Sequence, residues 1–327
     1  MTDTAPAPAP LEPPAVQLST SLLTFSATDP GGWGQVLDRA RLLDAAGVDR
    51  LVVSDHVVFG ENLEAYSDPK LGGTAGAKQP TGPDGHWLEP MTTLSVLAGM
   101  TSRIRLGTNI LIAALRRPVV LAKSAATLDV LSGGRLDLGV GVGWQREEYE
   151  AAGLDFARRG RLLDHSLEVC RTLWSEPRAS LESTELTFDA IHMMPKPLRP
   201  EGVPIWVAGT VNPRVVSRLA RFGTGWIPWG ADAADPSAGI ARMRQALADG
   251  GGDPTGLQVV GRLPVVADAE GAMDIDRTMD AVPDLVAAGV TDFRASFRLP
   301  TDPSAATAHL REVVAGFRAA TDRPTDV

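Results

Sequence analysis

Along this chain, short apolar runs alternate with longer stretches of helical periodicity. The clearest unit runs from Thr101 to Tyr149. Two apolar runs, Ile104–Leu111 and Leu136–Val142, flank a helix-like segment, Pro118–Leu131, that closes on Ser132, Gly133 and Gly134. Apolar runs of this length bounded by glycine suit strands buried on both faces, as in a parallel sheet. Pro118 suits a first helical turn, and Gly133 or Gly134 suits a C-terminal cap. The pattern predicts one β-α-β unit with a right-handed crossover.

The same rhythm extends in both directions. Strands are expected at Leu18–Phe25, Val48–Ser54, Pro204–Gly209, Gly225–Trp229, Leu257–Val266 and Val290–Phe297. Helices are expected at Trp33–Ala46, Pro90–Met100, Trp144–Ala152, Arg158–Trp174, Pro213–Phe222, Pro236–Ala248, Asp274–Ala288 and Ser304–Ala319. Eight strands, each followed by a helix, predict a (β/α)8 TIM barrel. An open doubly wound sheet is the alternative, and the missing Gly-rich fingerprint after the first strand counts against it. Two segments break the rhythm. Residues 57–90 are rich in Gly, Pro, Asp and Lys and too long for a plain connector, so a lid-like insertion at the catalytic face is expected. Residues 178–196 include an alternating stretch, Ser180–Asp189, that reads as a hairpin insertion. Residues 1–17 are Pro- and Ala-rich and read as a flexible arm before a single domain at 18–327.

Composition narrows the function classes. With 327 residues, 44% of them hydrophobic, a large core is available. The net charge is −9 and there is no basic tract, which argues against nucleic acid and anionic membranes as partners. The single cysteine, Cys170, excludes an internal disulfide framework and suits a reducing compartment. With no apolar run of membrane-span length and no signal-peptide core, a cytoplasmic location is expected.

Candidate chemistry collects at the strand ends. Asp55 and His56 close the second strand, and a histidine there can exchange a proton near neutral pH. The five histidines form no H-x-H or H-E-x-x-H pattern, so no metal site is expected. Gly139, Gly141 and Gly143 are spaced by two, and a G-x-G-x-x-G fingerprint fails at Trp144. Such glycines make room for a neighbouring side chain or for a flat ligand. Gly209, Thr210, Val211 and Asn212 sit between a strand and a helix start, where N–H groups favour phosphate. An Asn N-cap with Pro213 in the first turn explains the same residues structurally. Trp87, Trp144, Trp226 and Trp229 fall near strand ends, where they can wall a heterocycle or fill the barrel's top layer. Glu147 and Glu148 open a helix whose N-terminus they favour electrostatically, and an acid/base role for them is secondary.

Taken together, several segments resemble the luciferase-like monooxygenase superfamily, and more narrowly its deazaflavin-dependent oxidoreductases. They are Ser54-Asp55-His56, LGTNIL at Leu106–Leu111, RRPVVLAKSAATLDVLSGGRLDLGVGVGW at Arg116–Trp144, PKPLRPEGVPIWVAGT at Pro195–Thr210 and the run Ala220–Gly230. The resemblance implies a TIM barrel with insertions and reduced FMN or the 8-hydroxy-5-deazaflavin coenzyme F-420 as cofactor. It implies a catalytic role for His56 and cofactor contacts from Asp55, from a non-proline cis bond at Asn109–Ile110, from Gly143 and Trp144, and from the phosphate loop Gly209–Asn212. It also implies a homodimer and, for an FMN enzyme, a separate flavin reductase. In glucose-6-phosphate dehydrogenases of the deazaflavin branch, a catalytic glutamate follows the Gly-x-Gly of strand four. Trp144 stands there in this chain, which argues against sugar-phosphate oxidation and for a more apolar pocket. The expected activity is hydride transfer between F-420 and a small organic substrate. The alternatives are an FMN-dependent monooxygenase and a non-catalytic, ligand-binding barrel.

Overall fold

The computed structural model describes residues 12, 15–71, 73, 75–269 and 271–324. Most of the expected arm at 1–17 lies outside them. Its last residue, Gln17, already belongs to the barrel, since the first strand starts there.

Eight parallel strands close into one barrel. They are β1 (Gln17–Ser21), β2 (Arg50–Val53), β3 (Arg105–Thr108), β4 (Leu136–Val140), β5 (Ile205–Gly209), β6 (Gly225–Pro228), β7 (Gln258–Arg262) and β8 (Asp292–Ala295). Each strand pairs with its neighbours in sequence. The barrel closes between β1 and β8, with Gln17 opposite Asp292 and Thr20 opposite Ala295. The major outer helices are α1 (Gly34–Ala46), α2 (Pro90–Ala98), α3 (Pro118–Ser132), α4 (Arg159–Ser175), α5 (Pro213–Phe222), α6 (Pro236–Asp249), α7 (Val282–Ala288) and α8 (Pro303–Ala320).

Local sequence explains the helix ends. α3 begins with Pro118, and Gly133 ends it in the left-handed region at φ 71°. Asn212 caps α5 by accepting from the N–H groups of Arg214 and Val215, both at 3.1 Å. Asp44 near the end of α1 accepts from the N–H groups of Ser102, Arg103 and Ile104, tying α1 to the approach to β3.

Two expectations are corrected. The first strand ends at Ser21, and Phe25–Ser26 instead pairs antiparallel with His86–Trp87 beside the barrel. The helix expected over Asp274–Ala288 is two helices, Ile275–Met279 and α7, because Pro283 suits only a first turn. The hairpin insertion stands as Ala179–Glu182 paired with Thr187–Ile191.

The amino-terminal end of the barrel is filled by charge as well as by apolar side chains. Buried Arg50 pairs with Asp292 at 2.7 Å and lies 3.8 Å above the Trp206 ring. Arg105 holds Asp137 through two bonds of 2.8 and 2.7 Å. Burial pushes the Cys170 thiol up to about 12, which leaves it inert.

Candidate active site

The residues just beyond the carboxyl ends of β1 to β6 line a cavity of about 690 Å³. This is the end at which (β/α)8 barrels carry their chemistry. The segment after β2 contributes Tyr66, Pro69, Lys70, Gln79 and Pro80 to the wall. Within it, Gly73 accepts from Trp229 Nε1 at 3.1 Å, which ties the segment to the end of β6.

β2 delivers Asp55 and His56 in succession, and they take different partners. The Asp55 carboxylate accepts from Ile112 N at 2.8 Å and from both terminal nitrogens of Arg116, the Nη2 contact being 2.9 Å. Arg116 also reaches Glu89 at 2.9 Å. Burial works against the Arg116 charge, but Asp55 and Glu89 outweigh it and raise its pKa above the ordinary value. Burial pushes the Asp55 carboxyl up, with Arg116 opposing. Asp55 thus braces the segment after β3 from below. That segment bulges at Asn109 and Ile110, joined by a cis peptide bond, and Leu111 returns to bridge Val140.

His56 turns to Glu148. Its Nδ1 lies 3.2 Å from Glu148 Oε2, an ion-pair distance without the alignment of a hydrogen bond. Glu148 Oε1 accepts from Val57 N at 2.8 Å, so one buried carboxylate meets both His56 and the residue after it. Nδ1 thus faces the Glu148 carboxylate. Around the imidazole stand Phe59, Trp87 and Trp144, with ring centroids at 4.3, 4.8 and 5.7 Å. Tyr66 meets Trp144 at 5.4 Å, and Phe25 stacks on Trp87 at 4.3 Å.

The glycines of β4 resolve in favour of neighbouring side chains. A Cβ on Gly139 would stand 2.0 Å from Thr108 O, and one on Gly141 would stand 2.9 Å from two atoms of Ile110. Gly143, at φ 67°, faces Ile112. These glycines let the Asn109–Ile112 bulge press against β4, and Gly141 and Gly143 still line the cavity.

The loop after β5 offers fewer donors than its sequence promised. Val211 is outside the cavity lining, and its N–H donates to Asp232 at 2.8 Å. Asn212 spends its carbonyl oxygen on the α5 cap and turns its NH2 to Thr210 O at 2.9 Å. Gly209 and Thr210 line the cavity, and Arg159, Arg214 and Arg218 bring cationic side chains to the same side. Arg218 is itself held by Asp164 at 2.6 Å, whereas Arg159 lies 3.9 Å over the Phe156 ring.

Of the four tryptophans near strand ends, Trp87, Trp144 and Trp229 line the cavity. Trp226 is fully buried core, its indole N–H given to Gly209 O at 2.9 Å. No local pattern in the sequence marks Arg116, Tyr66 or the three arginines, and Glu148 reads there as a helix-end charge. The Gly-Trp-Gln-Arg-Glu-Glu-Tyr run after β4 was the available signal for Glu148. Among the described residues, no group of three His, Cys, Asp or Glu is placed to hold a metal ion, and no helix is long and apolar enough to cross a membrane.

A family model described as luciferase-like monooxygenase matches residues 16–322. The chain belongs to the luciferase-like monooxygenase family. The family is one of oxidoreductases. An uncharacterized protein of Mycobacterium tuberculosis is 32% identical over 188 residues, which cover 58% of this chain and 65% of that relative's length. A phthiodiolone/phenolphthiodiolone dimycocerosates ketoreductase of Mycobacterium bovis is 35% identical over 175 residues, 52% of this chain and 45% of that one. Among solved structures, an F420-dependent secondary alcohol dehydrogenase superimposes with a TM-score of 0.67 at 17% identity, covering 93% of this chain and 99% of that one. The oxygenating constituent of 3,6-diketocamphane monooxygenase from Pseudomonas putida, in complex with FMN, gives 0.64 at 15% identity, covering 91% and 96%. At these identities the two structures establish the luciferase-like barrel fold alone.

Proposed function

We propose that this protein is a deazaflavin-dependent oxidoreductase that moves a hydride between coenzyme F-420 and an oxygen-bearing carbon of a small organic substrate. The observation that carries the reading is His56, braced by Glu148 and presented at a cavity deep enough for a flat ring and a second molecule. When bound, the coenzyme supplies a two-electron hydride carrier that does not need oxygen. The residues present fit such a group. Ile110 and Val142 offer apolar surface beside the bulge, and Asn109, Gly143 and Trp144 continue that wall. Gly209 and Thr210, with Arg159 and Arg214, suit an anionic tail. Trp144 Nε1 and Gln79 Nε2, both buried and unpartnered, lie in the lining as donors for a ligand. Asp55 acts through its hold on Arg116 and Ile112, keeping the bulge in place.

The proton half of the reaction falls to His56. Reduction of a carbonyl adds hydride to carbon and a proton to oxygen, and we assign that proton to His56 Nε2. In the reverse direction it takes the proton from an alcohol. Glu148 keeps Nδ1 oriented and offsets the positive charge when the ring is protonated. The aromatic surround, with Tyr66, Pro69 and Gln79 from the segment after β2, limits water at the exchange. The name of the ketoreductase relative agrees with carbonyl chemistry.

A second reading is an FMN-dependent monooxygenase supplied by a flavin reductase. Tyr66, Pro69 and Gln79 in the cavity wall would serve that chemistry by shielding a reactive oxygen species. Anaerobic incubation with reduced F-420 and a carbonyl panel separates the two. Substrate-dependent oxidation of the coenzyme without oxygen supports the first reading. Oxygen uptake only with supplied reduced FMN supports the second. By family resemblance we further propose a homodimer.

A further inference from the structure

The cavity is divided by polarity. Its cationic side chains Arg159, Arg214 and Arg218 cluster near the loop after β5. The side around His56 is built from Phe25, Tyr66, Trp87 and Trp144, and Leu23 stands at its margin with 62% of its surface exposed. A large apolar side chain left in solvent at a cavity margin marks a surface that an apolar ligand covers. On this side Asp55 and Arg116 pair with one another, and the buried Glu148 carboxylate, 3.2 Å from Nδ1, disfavours a second anion. Lys70 is exposed on the neighbouring segment and is the one cation of that segment in the lining.

From this partition we infer that the substrate is an uncharged, ring-bearing secondary alcohol or ketone, bound with its ring among Trp87, Trp144 and Phe25 and its oxygen at His56. The inference rests on the hydride-transfer reading for the oxygen's place, and on the aromatic wall alone for the ring. An anionic substrate such as a sugar phosphate would meet the Glu148 carboxylate there, with Arg116 already engaged by Asp55 and Glu89. A purely aliphatic chain would not use the edge and face geometry that Trp87 and Trp144 present around the imidazole.

The test is ligand-observed NMR titration of the purified protein with 1-phenylethanol, with its para-carboxylate analogue and with glucose 6-phosphate, each with and without saturating F-420. The neutral alcohol should bind saturably and at least about tenfold more tightly than the carboxylate. Trp144→Ala should weaken it by about tenfold. Because Trp144 is buried, Leu23→Glu at the exposed margin gives a second variant with an intact core, and it should weaken the neutral alcohol in the same direction. Equal or tighter binding of the carboxylate or of glucose 6-phosphate would overturn the inference, as would full affinity in both variants. If the alcohol binds as expected while F-420 does not bind, the ring site stands and the coenzyme reading falls. If F-420 binds and the alcohol does not, the substrate inference falls alone.

Discussion

Glu148 Oε2 stands 3.2 Å from His56 Nδ1, while Oε1 of the same carboxylate accepts the Val57 N–H at 2.8 Å. One buried side chain from the helix after β4 therefore orients the imidazole and fixes the chain where the long segment leaves β2. If His56 is the proton-exchanging group, His56→Ala lowers kcat by ~100-fold or more. Glu148→Gln keeps the shape but removes the charge, and should lower kcat by ~10-fold or more while leaving coenzyme affinity nearly unchanged. Steady-state kinetics beside a fluorescence titration of the coenzyme checks both. Near-full activity in His56→Ala contradicts the assignment.

Asp55 and Arg116 form the second buried pair of the site, and their task is structural. Asp55→Asn leaves the largely buried Arg116 guanidinium with Glu89 as its one carboxylate partner in the site, and loosens the Ile112 anchor. Breaking such a pair costs roughly 3 kcal/mol. Urea unfolding should show that loss, together with weaker coenzyme binding because the Asn109–Ile112 wall is no longer held. An unchanged midpoint would remove Asp55 from this role.

The glycines of β4 differ in what an added methyl meets. At Gly139 it meets the Thr108 carbonyl oxygen at 2.0 Å, and backbone cannot step aside. At Gly141 it meets the Ile110 side chain at 2.9 Å, which can yield toward the cavity. Gly139→Ala should therefore destabilise by ~2–3 kcal/mol, and Gly141→Ala by ~1 kcal/mol with a larger relative loss of coenzyme affinity. Thermal unfolding and binding of the two variants side by side test the contrast.

At the opposite end of the barrel, Asp137 sets an acid limit. Burial would raise its carboxyl, but Arg105 and then Arg50 outweigh burial and hold it below the usual carboxylate value. A group depressed in the folded state contributes stability above its unfolded pKa, ~3.9, and loses it as pH falls through the lower folded value. The protein should hold its stability down to about pH 4 and lose it steeply below. In Asp137→Asn the contribution is missing at all pH values, so the acid limb flattens and stability near neutrality falls by ~3 kcal/mol. A urea-midpoint series from pH 3 to about pH 7 distinguishes the two profiles.

Much of the barrel was legible in the sequence because parallel strands buried on both faces read as short apolar runs, and because Pro118, Gly133, Asn212 and Pro213 mark helix ends by local chemistry alone. Phe25 was misread as the end of the first strand because an apolar residue near a strand looks the same whether it continues the barrel or pairs sideways with Trp87. The glycines at and beyond the end of β4 read as making room, but spacing cannot say for what, and Ile110 and Ile112 come from the bulge after β3. Asp55 and His56 were recognised, but their partners were not. Arg116 is 61 positions and Glu148 92 positions further along the chain (116 − 55 and 148 − 56), and nothing in local pattern links residues at such separations. The loop after β5 went the other way. Val211 and Asn212 fit a phosphate loop by sequence, yet Asp232 and the α5 cap engage the Val211 N–H and the Asn212 side-chain oxygen.

The most direct test of the account is a parallel fluorescence titration of the purified protein with oxidised F-420 and with FMN. The account predicts saturable binding of F-420, with FMN at least about tenfold weaker. Preferential binding of FMN would contradict it and move the flavin monooxygenase to first place, with a reductase partner to be sought.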